Sequence, residues 1–284
     1  MNRRPSTALA TTSRDEQLAI MRRKAIRHLP LVDGAGQLTG LATMDELTGL
    51  TRRDNWVVLM AGGLGSRLRP LTDNCPKPML QVGNKPLLQT ILEKFIESGF
   101  HRFYISVNYM ADVIEEYFGD GSRWQVEIVY LHEEKRMGTA GALGLLPGKP
   151  DLPLLVMNGD VLTKVNFRQL LDFHVEHSSV ATMCVREYDF QVPYGVVTAD
   201  GHRIVSIDEK PIQTFFVNAG IYVIEPAALE AIPPGQFFDM PTLFTEMIQC
   251  GRETSVFPIR EYWLDIGHMA DYQRANGEYM DVFS

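Results

Sequence analysis

A continuous apolar run constrains the fold of this sequence more than any other feature. Residues 56–60 read WVVLM, which suits a β-strand that is covered on both faces. Strand-like runs recur at residues 103–107, 126–131, 154–157 and 180–185, and helix-like stretches alternate with them at residues 87–96, 111–118, 141–146 and 167–177. This alternation predicts an α/β fold, an α/β/α sandwich on a mainly parallel sheet. In such sheets ligands bind at the carboxyl ends of the strands.

The first of these strands runs into the glycine-rich loop AGGLGSRLRPLTDNCPKP, residues 61–78. Gly62, Gly63 and Gly65 allow backbone N–H groups to approach an oxyanion without interference from a Cβ atom. Arg67 and Lys77 add positive charge that does not titrate near neutral pH. The composition of the loop therefore favours binding of a triphosphate.

Two better-known phosphate loops do not fit this spacing. A Walker loop has Lys followed by Ser or Thr directly after its last glycine, whereas Gly65 is followed by Ser66 and Arg67. The dinucleotide fingerprint requires a small residue and a helix start at Leu68. Pro70 opposes that helix and favours an extended backbone at Arg69.

Composition and charge narrow the class of protein further. The chain has 284 residues and a net charge of −8, so its surface is not generally suited to nucleic acid. Its three cysteines, Cys75, Cys184 and Cys250, are far apart and are interpreted as free thiols in a reducing compartment. We find no apolar run of membrane-spanning length and no signal-peptide pattern, and therefore expect a cytoplasmic protein without a membrane partner.

The first 50 residues differ from the remainder. Ser13 is a candidate helix N-cap with Glu16 at the capping-box position, and two short strands are predicted at residues 28–32 and 38–43 around the turn DGAGQ. This β-α-β-β unit buries too little surface to be stable as an isolated domain. The polar residues 51–55, TRRDN, are predicted to form a linker to the second domain, residues 56–284.

The segment RRKAIRHLPLVDGAGQLTGLATMDEL resembles one cystathionine-β-synthase-type (CBS) motif, and the match covers about residues 1–50. Members of that family normally work in pairs and often bind adenine nucleotides. Here one motif is present, and Thr43, Met44, Asp45 and Glu46 replace the usual Thr-x-x-Asp ending. The resemblance implies that the other half comes from a second chain, which would give a dimer, or lies outside this sequence.

The glycine-rich loop resembles the long signature of nucleotide-sugar pyrophosphorylases, the sugar-1-phosphate nucleotidyltransferases. Further matches follow in family order, namely EEKRMGTAGAL, VMNGD, PYGVV, IDEKP, FVNAGIYV and WLDIG. In that family an oxygen of a sugar 1-phosphate attacks the α-phosphorus of a nucleoside triphosphate, and pyrophosphate leaves. The resemblance covers about residues 56–284.

The resemblance implies roles for individual residues. Arg67 would hold the β- and γ-phosphates, and Lys77 would stabilise charge at the α-phosphate. Asp160 and Asp265 would bind Mg²⁺, which takes hard oxygen ligands. The implied nucleotide-binding set is Ala61, Gly62, Gly63, Gly65, Gln81 and Gly138, near the family acid Glu133. The implied sugar-phosphate set is Tyr194, Gly195, Glu209, Lys210 and Asn218.

The sequence motifs constrain the identities of the nucleotide and the sugar less than they constrain the reaction. GTAGAL, residues 138–143, is closer to guanylyltransferases acting on mannose-like sugar phosphates than to thymidylyltransferases. We therefore expect GTP as the nucleotide substrate before UTP. Two alternatives stay open: a uridylyltransferase of the same family, and a non-catalytic regulatory subunit that senses nucleotide sugars. Such subunits typically lose a loop cation or a metal aspartate, whereas this sequence keeps both kinds of residue.

Overall fold

The computed structural model describes residues 5–24, 26–44, 47 and 52–283. The N-terminal unit contains strands β1 (Ala8–Leu9), β2 (His28–Val32) and β3 (Leu38–Thr43) and helix α1 (Arg14–Lys24). Strand β2 pairs parallel with β1 and antiparallel with β3. The Ser13 hydroxyl accepts a hydrogen bond of 3.3 Å from the Glu16 amide, as the capping pattern predicts. The β-α-β-β prediction is confirmed.

The larger unit follows directly. Its strands are β4 (Arg53–Met60), β5 (Gln81–Val82), β6 (Lys85–Pro86), β7 (Phe100–Val107), β8 (Glu127–His132), β9 (Leu154–Asn158), β10 (Val161–Thr163), β11 (Ala181–Gln191), β12 (Gly195–Asp200), β13 (Arg203–Glu209), β14 (Ile212–Ile224), β15 (Thr254–Ile259) and β16 (Trp263–Asp265). Its helices are α2 (Leu87–Glu97), α3 (Ala111–Phe118), α4 (Gly138–Gly141), α5 (Phe167–Glu176), α6 (Met240–Gln249) and α7 (Met269–Phe283). No helix among the described residues is both long and apolar enough to cross a membrane.

Seven strands form the central sheet in the order β15-β11-β14-β9-β4-β7-β8. Strand β4 pairs parallel with both β7 and β9, and β7 pairs parallel with β8. Strand β14 runs antiparallel to its neighbours β11 and β9. The prediction of a mainly parallel α/β sheet is confirmed.

Helices cover both faces of the sheet because its central strands are apolar on both sides. Val57 and Leu59 of β4 belong to a core shared with helices α2 and α5, whereas Val58 belongs to a second core that includes α6. In the first core the rings of Phe95 and Phe167 stack with centroids 3.7 Å apart. The three-layer arrangement leaves the strand ends as the places where loops can form a site.

Three predicted boundaries differ from the structure. Residues 53–55, expected in the linker, are the first residues of β4: the Arg53 amide donates to the Gly99 carbonyl and Asn55 Nδ2 donates to the Pro153 carbonyl. The strand expected at residues 180–185 continues to Gln191 because it keeps pairing with β14. The helix expected at residues 141–146 is the short α4 followed by a 3₁₀ turn, Ala142–Leu145.

The outer halves of β11 and β14, together with the hairpin β12–β13, are largely exposed; we call residues 186–217 the arm. Cross-strand pairing places Tyr188 opposite Phe215, and both rings are open to solvent. The arm therefore adds little to the core and presents its side chains outward.

Candidate active site

A cleft of about 220 Å³ lies at the carboxyl ends of β4 and β9, where the fold class predicts a ligand site. Its floor includes Met60 and Asn158, the last residues of these two strands. The rest of the lining is Gly62, Gly63, Lys77, Pro78, Glu133, Arg136, Gly138, Thr139, Gly159, Asp160, Phe237 and Asp239. The cleft therefore contains both ends of the glycine-rich loop and one of the two predicted metal-binding carboxylates.

Gly65 turns the glycine-rich loop back on itself. Its φ of 62° is in the left-handed region, and a 3₁₀ turn, Ser66–Leu68, begins after it. A Cβ atom here would lie 2.9 Å from Thr72 Cγ2 and 3.0 Å from Lys77 Cβ. Arg69 is extended before Pro70, with φ −59° and ψ 142°, as the sequence predicts. The turn thus brings the two ends of the loop together.

Gly62 fixes the loop against the next strand. A Cβ atom at Gly62 would lie 2.6 Å from Glu133 Oε1. That oxygen accepts from the Ser106 hydroxyl, and Glu133 Oε2 accepts from the Met137 amide at 3.0 Å. Ala61, which is buried, donates its amide to the Ser106 carbonyl at 2.9 Å. Glu133 is therefore a positioning group between the glycine-rich loop and the α4 segment.

Lys77 is the buried cation of the site. It begins a single 3₁₀ turn, Lys77–Met79, and only 9% of its side chain is exposed. Its Nζ donates to Asp160 Oδ2 at 2.5 Å. A buried ammonium group requires such a partner because desolvation of an unpaired charge costs several kcal/mol.

Asp265 lies beside this ion pair. Strands β10 and β16 pair antiparallel with Val161 opposite Asp265, and the Ile266 amide donates to the Asp160 carbonyl at 3.0 Å. Desolvation raises the pKa of Asp265, although the residue as a whole is exposed, and the charge of Asp160 raises this pKa further. The positive charges of Lys77 and Arg67 oppose both effects. The two aspartates are thus close enough to repel each other.

Arg67 faces the Asp265 carboxylate from the glycine-rich loop. A Cβ atom built on Gly267 would lie in ordinary contact with both groups, 3.7 Å from Arg67 Nη1 and 3.6 Å from Asp265 Oδ2, so the two side chains lie next to the same position. The structure therefore brings four sequence-predicted residues together: Arg67, Lys77, Asp160 and Asp265.

The donor set at this position fits Mg²⁺. Two carboxylates offer hard oxygen ligands, and Mg²⁺ is often bound by one or two carboxylates completed by water and substrate phosphates. Across the described part of the chain, no group of three or more His, Cys, Asp or Glu side chains forms a metal cage.

Gly138 supplies the opposite wall of the cleft. Its φ is 79°, and a Cβ atom there would lie 2.6 Å from the Phe238 carbonyl oxygen. Asp239 holds the start of α4 by accepting from the Thr139 amide at 2.9 Å. Gln81 is more distant: it is exposed and outside the described cleft lining, and its carbonyl accepts from the Tyr272 hydroxyl at 2.7 Å.

Four predicted sugar-phosphate residues cluster on the arm rather than in the described lining of the cleft. Gly195 pairs with Glu209, and a Cβ atom on this glycine would lie 2.9 Å from Glu209 Oε2. Lys210 has a left-handed φ of 48°, and its amide donates to the Tyr194 carbonyl at 3.3 Å. All four residues are exposed. The left-handed backbone at Lys210 therefore turns the chain directly after strand β13.

Asn218, the fifth residue of this set, lies where the arm joins the sheet. Its Nδ2 donates to the Tyr222 hydroxyl at 2.8 Å, and its Oδ1 accepts from the Gly220 amide at 2.9 Å. Gly220 in turn packs against Asn158, since a Cβ atom on Gly220 would lie 2.7 Å from Asn158 Nδ2. Asn218 therefore connects the arm to the cleft floor.

The sequence analysis missed several residues of the cleft, namely Arg136, Thr139, Asn158, Phe237 and Asp239. Asn158 lies within the quoted VMNGD segment, and its buried Oδ1 has no hydrogen-bond partner among the described residues. Phe237 and Asp239 come about a hundred residues after the α4 segment that they face, and no local pattern marks them. Asn158 was thus the residue within reach of a motif-based prediction.

Known proteins with similar sequences include two kinds of nucleotidyltransferase. The chain is 34% identical over 223 residues to the mannose-1-phosphate guanylyltransferase catalytic subunit beta of Drosophila melanogaster, an alignment covering 76% of this chain and 60% of that protein. It is 32% identical over 238 residues to the UTP–glucose-1-phosphate uridylyltransferase of a Synechocystis strain, covering 77% and 61%. The chain spans about three fifths of the length of these curated relatives.

A solved structure has the same fold. The crystal structure of HddC from Yersinia pseudotuberculosis superimposes with a TM-score of 0.61 at 25% identity, covering 79% of this chain and 99% of that one. The sequence profile described as CBS domain matches residues 1–51, and that described as nucleotidyl transferase matches residues 56–282. The chain therefore belongs to the nucleotidyl transferase family and carries an N-terminal CBS domain.

Proposed function

We propose that the protein transfers a nucleoside monophosphate from a nucleoside triphosphate, with GTP as the first candidate, to a sugar 1-phosphate. The products are pyrophosphate and a nucleoside diphosphate sugar. The observation that carries the proposal is the buried Lys77, at the end of the glycine-rich loop, paired with Asp160 at 2.5 Å and lying beside Asp265.

The nucleophile requires no catalytic base. A phosphate monoester is already an anion at neutral pH, so one of its oxygens can attack the α-phosphorus directly. The new P–O bond forms as the bond from the α-phosphorus to the bridging oxygen breaks, and both electrons of that bond leave with pyrophosphate. The protein must therefore hold two anions in line and stabilise charge on the leaving group.

Fixed cations supply that stabilisation. In this proposal Lys77 contacts the α-phosphate, and Arg67, on the exposed turn after Gly65, contacts the β- and γ-phosphates. The N–H groups of Gly62 and Gly63, which line the cleft, donate to phosphate oxygens. Gly138 on the opposite wall and the unsatisfied Asn158 Oδ1 on the floor would contact the base and ribose.

Asp160 and Asp265 would hold Mg²⁺, which when bound neutralises phosphate charge. The two aspartates themselves also determine how the charged groups of the site are positioned. Asp160 orients Lys77 through the 2.5 Å hydrogen bond, and the β10–β16 pairing keeps Asp265 next to Asp160. Arg67 and Lys77 balance the two negative charges before any substrate binds.

The sugar 1-phosphate would bind on the arm side of the cleft. Lys210 would pair with its phosphate, while Glu209, Tyr194, Gly195 and Asn218 would contact the sugar. Polar side chains can select a sugar because a buried hydroxyl left unpaired costs about 1–3 kcal/mol. The clustering of Tyr194, Gly195, Glu209 and Lys210 supports a common role for these residues.

The nucleotide base is proposed from one sequence loop and from the relatives. The GTAGAL loop and the Drosophila relative favour guanylyl transfer, whereas the Synechocystis relative acts, by its name, with UTP. We rank GTP first and UTP second, and mannose 1-phosphate before glucose 1-phosphate as the acceptor.

A pyrophosphate-release assay with Mg²⁺ tests the proposal. The purified protein is incubated with each pair of a nucleoside triphosphate and a sugar 1-phosphate, with Lys77→Ala as the negative control. We expect turnover that requires both substrates and is greatest with GTP. A folded protein that is inactive with every pair would refute the enzyme and favour the nucleotide-sugar sensor.

The N-terminal unit is proposed to mediate self-association. Its exposed apolar residues Leu9, Leu38 and Leu41 offer a surface to a second copy. Light scattering should then detect a dimer, and a chain that stays monomeric at high concentration would contradict this role.

A further inference from the structure

The five residues predicted to bind the sugar phosphate are divided between two places in the structure. Asn218 lies next to the cleft floor, because it bonds to Gly220 and Gly220 packs against Asn158. The other four lie at the far end of the β11–β14 ribbon, beside Ile212. At about 3.3 Å per residue, β14 extends about 20 Å from Ile212 to Asn218. A single sugar 1-phosphate therefore cannot contact Asn218 and Lys210 of the same chain.

The ribbon is a continuous extension of the central sheet. Pairing of β11 with β14 runs from Arg186, opposite Val217, to the end of β11 without a register shift. At the base of the arm, Arg186 Nη1 donates to the carbonyls of Ile259 and Glu261 at 3.1 and 3.0 Å. Folding the arm back over the cleft of its own chain would break these hydrogen bonds. The arm is thus held away from that cleft.

Both faces of the arm carry apolar side chains that are open to solvent. Tyr188 lies opposite Phe215 on one face, and Phe216, the next residue, points to the other face. In the hairpin β12–β13, Val197 lies opposite Ile207, and both are exposed as well. A two-stranded ribbon is marginally stable in water when nothing packs against it. The arm therefore requires a covering surface.

The apolar surface of the arm is large enough for a protein–protein interface. Five aromatic residues of the arm are between 49% and 74% exposed, namely Tyr188, Phe190, Tyr194, Phe215 and Phe216. At about 200 Å² per aromatic side chain, they leave about 600 Å² open to solvent. Exposed aliphatic residues add to this area, namely Val197, Ile204, Val205, Ile207 and Ile212. One partner contributes about 800 Å² to an interface of standard size, so the arm can supply one side of a stable dimer.

The cleft favours a second copy of this chain as the covering surface. Its described lining contains the residues predicted for the triphosphate and no residue of the arm. Phe237, in that lining, is 58% exposed and offers an apolar contact to an incoming arm. Every copy has one such cleft and one arm that carries the predicted sugar-phosphate residues. A two-fold symmetric pair therefore matches both arms with both clefts.

We propose that the arm of one copy completes the active-site cleft of a second copy in a two-fold symmetric dimer. This inference rests on the proposed function, which gives the arm residues their role. Glu209 and Lys210 of one copy then lie beside Lys77 and Asp160 of the other. Each cleft binds the triphosphate with one chain and the sugar 1-phosphate with residues of both chains.

Complementation between two inactive chains tests the proposal. One chain carries Lys77→Ala, the other carries Glu209→Ala and Lys210→Ala, and heterodimers are purified through two different tags. At low sugar 1-phosphate, both homodimers should be strongly impaired. The heterodimer should recover about half of the wild-type rate of pyrophosphate release, since one of its two clefts combines an intact cleft with an intact arm. A heterodimer of a wild-type chain with a chain carrying all three substitutions should be inactive. The reverse pattern, with activity only in this last heterodimer, would show that each cleft uses its own arm and would overturn the proposal.

Cross-linking tests the same geometry without any activity. A chain with Lys210→Cys and Phe237→Cys, in which the exposed Cys250 is replaced by serine, is treated with a flexible bifunctional maleimide at low protein concentration. We expect a product with twice the mass of the chain. The control replaces Lys210→Cys by Ile248→Cys, at an equally open position outside the described cleft lining, and should not give that product. Failure of the Lys210→Cys chain to give the double-mass product contradicts the shared cleft. An inactive wild-type protein that still cross-links would refute the proposed function and leave the dimer in place.

Discussion

Substitution of Lys77 by alanine tests the chemistry of the cleft most directly. The side chain is buried, and its Nζ lies 2.5 Å from Asp160 Oδ2, so the ammonium group has a defined position before substrates bind. In the proposed reaction this group stabilises charge at the α-phosphate. Alanine removes the charge and leaves Asp160 without its partner.

The expected effect can be estimated from the charge that is lost. Two unit charges about 4 Å apart interact by about 4 kcal/mol at an effective dielectric constant of about 20. If between half and all of this interaction is specific to the transition state, kcat falls by roughly 30-fold to 1,000-fold. Lys77→Ala should therefore lower kcat strongly and not only raise KM.

Steady-state pyrophosphate release at saturating substrates measures this change. The matched control is Lys85→Ala, which breaks another half-buried ion pair, between Lys85 and Glu93, outside the described cleft lining. Both variants should lose some thermal stability, whereas only Lys77→Ala should lose kcat. A folded Lys77→Ala protein with near-wild-type kcat would refute the assignment of Lys77.

Four further predictions follow from the same structure. Asp160→Asn should shift the Mg²⁺ dependence of activity to higher concentration, because one of two ligand charges is lost; an unchanged titration would count against this metal site. Lys210→Ala should raise KM for the sugar 1-phosphate much more than KM for the triphosphate, and an equal rise in both would reject the sugar-phosphate role. Gly62→Ala should lower the melting temperature because its Cβ would lie 2.6 Å from Glu133 Oε1, whereas Gly63→Ala, with open space, should not; equal effects would contradict the packing. Burial lowers the pKa of His174 despite the opposing charge of Glu225, so the contribution of this residue to stability is present above its unfolded pKa of about 6.5 and is lost as pH falls. Urea denaturation should therefore show that the free energy of unfolding falls less between pH 7 and pH 5 for His174→Gln than for wild type. Substitution of the exposed His177 by glutamine is the control.

The glycine-rich loop of the site was predictable from the sequence because residues that are neighbours in the chain determine its backbone conformation. Glycines at positions 62, 63 and 65 after an apolar strand predict a loop open to anions, and Pro70 predicts the extended Arg69. Asp160 follows the apolar run at residues 154–157 that predicts a strand, whereas Asp265 was identified only through the family resemblance. Their proximity was implied only by the family resemblance, because the β10–β16 pairing connects segments about a hundred residues apart.

The opposite wall of the cleft could not be predicted in this way. Phe238 and Asp239 contact the α4 segment through hydrogen bonds between residues a hundred positions apart. The length of β11 was also underestimated, because its outer half is exposed and lacks the apolar pattern of a core strand. Pairing with β14, a non-local interaction, determines that half of the strand.

The ion pair between Lys77 and Asp160 has a consequence for how the proposed substrates bind. Each partner already satisfies the other at 2.5 Å, so a cation bound at Asp160 would compete with Lys77, and a phosphate bound at Lys77 would compete with Asp160. Either ligand alone would break a partly buried ion pair and leave one charge uncompensated, which is costly. A metal ion and a phosphate that bind together replace the pair with two new ones, and no charge is left unpaired. For this reason we expect the protein to bind the metal–triphosphate complex more tightly than either component, with Asp265 favouring the metal because desolvation, and then the charge of Asp160, already raises its pKa.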